Sequence, residues 1–404
     1  MSILREYLDL HSNTETPTIF HRWGFIAATA AALSRNVWIK HGSKMIYPSM
    51  YIVLIGHPGA RKAGAFKPSK YLRQSGYYKF APDKTSPSQF ITDLLDGMGT
   101  DKLSAADMML TPNQGFADAS DCFISQEELV VWLGTNNREF ATLLTKLWDN
   151  PPEFKDSFRK TKACIVNPTV NIFGAATPAG FHGCLPPDAN GIGLISRMIL
   201  VYGEPSNMRI TWPSDPDQEQ SERFVKFFSG LQDFRGELVF KRDGAELIDK
   251  IYKAWENIDD GRLVYYGSRR LEHLFRLCIV IAAINGTKII DKDIVLEANS
   301  ILVHTERHMS SALGEFGKST TATAAQGIMT FLENVNRPVK MEELYKVISQ
   351  DCGRYTDFLQ IVAGLQRAEK IQTKNDNVLL VRKPIGERDK FTDYAKYVPE
   401  AITP

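Results

Sequence analysis

Tyr51-Ile-Val-Leu-Ile-Gly-His-Pro-Gly-Ala-Arg-Lys-Ala-Gly64 is the stretch on which the fold turns. The apolar, β-branched run Tyr51 to Ile55 predicts a buried strand. The strand breaks at Gly56-His57-Pro58-Gly59, and a cation follows at Lys62. A strand feeding a glycine-rich loop, a lysine and a helix is the layout of a phosphate-binding loop. Glycines let the backbone curl so that N–H groups point inward. The next helix offers its positive end, and the lysine meets the β- and γ-phosphates. Two positions depart from G-x-x-x-x-G-K-[ST]. Arg61 stands where Gly is expected, and Ala63, with no hydroxyl for Mg²⁺, stands where Ser or Thr is expected. Taken alone, the stretch reads equally as a nucleotide site and as a plain strand-turn-helix corner.

The flanks place this loop in an α/β domain. Thr16-Pro17 opens a helix whose apolar residues include Phe20, Trp23, Phe25, Ile26 and the alanine-rich 27–33. Such a helix either covers the base side of a nucleotide or packs on the sheet. Val37 to Lys40 alternates as a strand does. Thr85-Ser86-Pro87-Ser88 starts a helix through Phe90–Leu95 that stops near Gly97, and residues 98–120 are polar and methionine-rich. Asp121 to Gln126 is a short strand that ends in an acidic pair, Glu127-Glu128, before Leu129–Leu133. Adjacent carboxylates at a strand end suit water-mediated Mg²⁺ binding and activation of an attacking water. A solvated helix start, which also favours acids, is the competing reading.

Farther on, Lys155, Arg159, Lys160 and Lys162 interleave with Phe154 and Phe158 in a hairpin or loop, which suits backbone tracking and base stacking; the alternative is a solvated loop. Val170 to Pro178 is a third strand, with Thr177 at its end, and it has the form of a γ-phosphate sensor. Arg197 lies inside the apolar segment 191–202 and needs a partner, either a structural carboxylate or a phosphate of a neighbouring subunit. Residues 205–235, with Pro213, Pro216, Gln218 and Gln220, read as a connector. Residues 241–313 read as helical, with an apolar stripe from Leu271 to Ala282. Arg269 and Arg270 at the start of that stripe sit where a helix dipole disfavours cations, so an anionic partner would explain them. After a Gly/Ser/Thr-rich linker at 314–322 come three helices and a hairpin around Asn375-Asp-Asn377, the plan of a winged helix-turn-helix.

Bulk properties bound the class. The 404 residues suggest two or three domains; 43% hydrophobic and 24% charged residues are ordinary for a globular protein, and a net charge of +1 excludes a wholly basic nucleic-acid coat while allowing a basic lane. Five cysteines with no C-x-x-C pair fit reduced thiols and carry no zinc pattern. Met1-Ser-Ile-Leu-Arg-Glu lacks the form of a signal peptide, and no apolar run is long enough for a bilayer. The expected location is the cytoplasm, that of a host cell if the chain is phage-encoded.

Taken in order, these pieces resemble the minichromosome-maintenance (MCM) helicases. Gly56 to Ala63 is similar to that family's G-D-P-G-x-x-K-S loop, in which the residue before Lys is not Gly. Asn171 to Pro178 resembles its A-A-x-N-P strand, with Thr177 in place of Asn. Leu194-Ile-Ser-Arg-Met198 resembles L-L-S-R-F, and Ser268 to Leu277 resembles R-x-L-E-x-L-I-R-L. The resemblance covers residues 20–385 and points to the primase-helicase-like ATPases of phages and mobile elements. It implies a P-loop AAA+ core over 1–235, a helical lid over 236–314, a winged helix over 320–385 and a tail over 386–404. It further implies a hexameric ring that hydrolyses ATP with Mg²⁺ and translocates on DNA, single-stranded in the pore, with a primase or initiator as a possible partner. Gly56, His57, Pro58, Gly59, Ala60, Arg61, Lys62 and Ala63 would cradle ATP, Glu127 would hold Mg²⁺ through water, and Glu128 would position the attacking water. Thr177 would sense the γ-phosphate. Arg197 and Arg269 would reach a neighbour's nucleotide and lack partners until the ring closes, and 155–162 would line the pore. Ala63, and Glu127 where the family has Asp, depart from the pattern, and the stretch before residue 20 is too short for the family's DNA-collaring domain. The competing expectations are an ATP-binding initiator or loader that hydrolyses weakly because of Ala63, and a helical adaptor with no nucleotide.

Overall fold

Every residue of the strand Tyr51–Ile55 is buried, whichever way it points, so both faces of the sheet it belongs to are covered. The computed structural model describes residues 2–97, 120–156, 163–186, 193–206, 208–212, 217–314, 320–335, 337–352, 354–367, 370–374 and 377–380. They fall into two compact units that part after Gly314. Residues 236–314 belong to the same unit as the sheet.

The first unit is α/β. After β1 (Val37–His41) and β2 (Lys44–Ile46), the central sheet uses β3 (Tyr51–Ile55) and β4 (Asp121–Gln126). Following the hairpin β5 (Glu153–Asp156) and β6 (Ala163–Val166), it adds β7 (Thr169–Ala176) and β8 (Met198–Tyr202). The order is β4-β7-β3-β8, all parallel. Phe80 extends the far edge by bridging Phe123. The strand after the loop, β4, therefore does not lie beside β3. The chain crosses over to it, and β7 later fills the gap.

Neighbouring strand residues face opposite ways, and this sorts the helices. Tyr51 pairs with Ile172, so Tyr51 and Phe173 point to opposite faces. The Tyr51 hydroxyl donates to Leu144 O (2.9 Å) in the helix Arg138–Trp148. On the other face Phe173 meets Phe66, with ring centroids 4.5 Å apart, beneath the helix Thr18–Leu33. That helix, preceded by Pro17, is buried at every residue from Phe20 to Leu33 except Arg22. It covers a sheet face and does not present one apolar stripe.

Several expectations are corrected. Gln218–Leu231, inside the expected connector, is a helix closed by an Asp217/Gln220 capping box, and it buries Phe224, Phe228 and Leu231. The helix bearing Arg269 and Arg270 begins at Val264, so these arginines lie in its second turn, past the first turn where the dipole acts, and the dipole argument does not apply. Arg270 finds its anion within the chain, at Glu306, with Nε–Oε1 at 2.8 Å. Short strands also enter the expected lid: β9 (Gly236–Glu237) pairs with β1 at its start, and β10 (Val239–Phe240) pairs with β11 (Ile289–Ile290), which breaks the expected helical run 241–313.

The second unit runs helix Thr320–Val335, β12 (Val339–Lys340), helices Met341–Cys352 and Tyr355–Arg367, then β13 (Ile371–Lys374) and β14 (Asn377–Leu380). Its antiparallel sheet has the order β12-β14-β13. Ile328, Leu332, Val339, Leu344, Phe358, Ile361 and Val378 form its core. The strand β12 completes a sheet of which the sequence suggested only the hairpin.

Candidate functional site at the sheet's carboxyl edge

In open parallel sheets, ligands bind beyond the carboxyl ends of the strands, where the strand order reverses. Here that edge carries three of the expected groups. Gly56 follows β3, Thr177 follows β7 on one side, and Glu127-Glu128 follow β4 one strand farther out. Gly56 N–H donates to Ala176 O (3.3 Å), which ties the loop to the end of β7, and Gly203 N–H donates to Ile55 O (3.0 Å) on the other flank.

The loop itself is tightly wound. Gly59 (φ +88°) and Arg61 (φ +49°) are left-handed, and Ala60 is buried between them. A Cβ on Gly56 would lie 2.7 Å from Gly203 O, so only glycine fits at that close approach. His57, Pro58 and Gly59 are exposed. Lys62 begins a 3-10 turn, Lys62–Phe66, that leads into the helix Lys67–Gln74, so a tighter turn precedes the expected helix. The Lys62 ammonium donates back to Gly56 O (2.8 Å) and His57 O (3.3 Å). Burial pushes its pKa down and the Glu128 carboxylate opposes that shift, so the lysine of one strand end and the acid of another share one field. Glu127, Glu128 and Ala63 are exposed.

The loop is held from outside by residues that sequence reasoning did not single out as site residues. Thr16 Oγ1 donates to Arg61 O (2.6 Å), and Glu15 pairs with Arg61 Nε (2.6 Å). Glu15 also accepts from Ile210 N–H (2.9 Å). That bond, followed by Arg61, holds its carboxyl below the usual range. Nothing in the sequence joins positions 15, 61 and 210. Thr177 accepts from Gly180 N–H (3.1 Å) and caps the helix Pro178–Cys184, so a structural bond already uses its hydroxyl.

Arg197 and Arg269 are not at this edge. Arg197 precedes β8, whose first residue, Met198, pairs with Tyr51 at the start of β3. Five strand residues, about 17 Å, separate it from the loop end. The expectation that these arginines lack partners is overturned. Arg197 Nη2 lies 3.0 Å from Asp149 Oδ2, and Arg269 Nη1 lies 3.8 Å from Asp149 Oδ1 and 3.5 Å from Glu272 Oε2. Arg197 thus takes the structural carboxylate of its two expected partners. Of the basic lane, Lys155 lies on β5 and pairs with Glu153 (2.6 Å) beside it. Arg159, Lys160 and Lys162 fall outside the described residues, whose flanks form the antiparallel hairpin arms β5 and β6.

No protein-family model matches the sequence, and no curated protein matches it. Among the described residues, no helix is long and apolar enough to cross a membrane, and no group of three or more His, Cys, Asp or Glu side chains could hold a metal.

Proposed function

We propose that the first unit binds ATP with Mg²⁺ on the carboxyl edge of its sheet and hydrolyses it at interfaces between copies, driving translocation on DNA as a P-loop AAA+ helicase of the MCM-like kind. The observation that carries this reading is the meeting of the Gly56–Ala63 loop, with Lys62 at its end, and the Glu127–Glu128 pair on one sheet edge, close enough for Glu128 to act on Lys62. Lys62 would exchange its two loop carbonyls for β- and γ-phosphate oxygens. Glu128 would orient water and take its proton, and Thr177 would flank the γ-phosphate from β7.

The donor set fits Mg²⁺, an ion that keeps several waters and takes one or two carboxylates plus substrate phosphates. Glu127 would hold it through water, and Ala63 contributes nothing. When bound, the ion neutralises phosphate charge. Arg197 and Arg269, at the opposite sheet edge, would serve a neighbour's nucleotide, which a head-to-tail ring makes reachable. The second unit, with its order helix-strand-helix-helix-strand-strand, is read as a winged helix that contacts DNA, with Arg354, Arg367 and Lys370 as its few cations near the third helix.

A second reading is favoured by Ala63. A site without the hydroxyl would bind ATP and turn it over weakly, and the protein would act as a replication initiator or helicase loader through its second unit. The test is ATP turnover with and without single-stranded DNA, wild type beside Lys62→Ala and Glu128→Gln. DNA-stimulated turnover lost in both variants supports the motor. Nucleotide binding without turnover moves the assignment to the initiator, and no nucleotide binding at all refutes both.

A further inference from the structure

Resting on the ring reading, we infer that Asp149 is a resident stand-in for the phosphate that Arg197 and Arg269 would otherwise bind, and that it sets how much nucleotide a neighbouring copy must carry before two copies join. Four observations support this. First, Asp149 is the C-cap of the 11-residue helix Arg138–Trp148, the end at which the helix dipole disfavours an anion, so helix formation does not explain it. Second, the residues on both sides of it are anchored. Trp148 O accepts from Arg276 Nη2 (2.9 Å), and Asn150 Oδ1 accepts from Ser49 Oγ (2.8 Å), while Arg276 Nη1 also bonds Ser49. The carboxylate is thus presented from a rigid corner, with 40% of its side chain exposed.

Third, that carboxylate is shared by two arginines from different elements, Arg197 before β8 and Arg269 in the helix Val264–Ile284. The Trp148 ring packs beside both guanidinium groups, at 5.5 and 5.6 Å. Fourth, among the described residues the corner is short of negative charge. Its ion pairs join four cations (Lys44, Arg197, Arg269 and Arg276) to two carboxylates, Asp149 and Glu272. Arg197 is 8% exposed, and its Nε is buried with no acceptor among the described residues. A phosphate group brings several acceptors to such a cluster, where Asp149 brings two. The two anions therefore compete for one seat, and Asp149 is the positioning residue that holds the arginines until the phosphate arrives.

Asp149→Asn removes the competitor and keeps its shape. Assembly measured by sedimentation velocity against Mg²⁺–ATPγS is expected to reach its midpoint at about fivefold less nucleotide in Asp149→Asn than in wild type. That ratio corresponds to about 1 kcal/mol, the worth taken for an ion pair whose carboxylate stays 40% exposed while its arginine is buried. Asp149→Glu, which keeps the charge, is expected to stay near wild type. A role confined to folding would raise the midpoint instead. If Asp149→Asn does not fold, as read by melting, Asp149→Ser takes its place in the same measurement. An unchanged or higher midpoint in the neutral variant overturns the inference. If wild type binds ATPγS and never assembles, the ring reading fails and takes the inference with it.

Discussion

Gly24 sits in the helix Thr18–Leu33, where the helix rests on the turn that follows the loop. A Cβ placed there would lie 2.1 Å from Ala65 O, 3.1 Å from Ala65 C and 3.3 Å from Phe173 Cζ. A carbon meets a carbonyl oxygen at about 3.3 Å, so Gly24→Ala must push helix and turn apart by more than about 1 Å. The obstructing atom is backbone and cannot swing aside. Alanine gains about 1 kcal/mol of helix propensity, while overpacking a tight contact costs about 1–3 kcal/mol and occasionally more. With the contact this short, the overpacking dominates, and the expected net loss is about 2 kcal/mol. The displaced residue lies three positions after Lys62, so nucleotide affinity is expected to fall as well.

All six tryptophans lie in the first unit, so intrinsic fluorescence during urea unfolding reports that unit alone. Gly230→Ala is the control. Gly230 is also helical, but a Cβ there meets nothing within 4 Å. It should therefore gain up to about 1 kcal/mol. Gly24→Ala as stable as wild type, with Gly230→Ala behaving as stated, would refute the close packing of helix on loop.

Three further outcomes are expected. Arg270→Ala strands the Glu306 carboxylate, 3% exposed, without its cation and should destabilise the first unit by about 3–5 kcal/mol in the same unfolding measurement. His273 is buried and held neutral, donating from Nε2 to Ser196 O (3.1 Å), and burial pushes its pKa down to about 4 from an ordinary 6.5. The unfolded chain then binds a proton that the native state refuses, so the stabilisation is complete above pH 6.5 and about 3 kcal/mol is lost as pH falls towards 4. His21, pushed down to about 3 by burial, acts in the same direction, and His273→Gln should flatten the slope of the urea midpoint between pH 7 and 5. Neutralising Glu15 in Glu15→Gln removes the charge that pairs with Arg61 and is shared with Ile210 N–H. It should loosen the loop, read as faster proteolysis near Arg61, with the urea midpoint little changed because the pair is exposed.

Local chemistry was legible where it governs structure within a few residues. The buried strand Tyr51–Ile55, the Gly56–Gly59 break, the Ser86 cap before Pro87 and the helices of the second unit all follow from period, cap and turn residues. The helix Gln218–Leu231 was legible too, through its capping box, but the prolines beside it outweighed that signal. The short strands β9, β10 and β11 were not legible, because two-residue strands have no period and exist only through their partners.

The sequence by itself determined an α/β chain, a loop with a lysine after its glycines, and an acid pair following a strand. Which of these meet was decided only by the tertiary structure. The order β4-β7-β3-β8 brings Lys62, Thr177 and Glu128 to one edge and sends Arg197 to the other. Only folding brought Asp149 to Arg197, 48 residues on, and Glu15 to Arg61, 46 residues on. The physical reason is that a charge seeks whatever counter-charge packing leaves within reach, and sequence distance does not encode that reach.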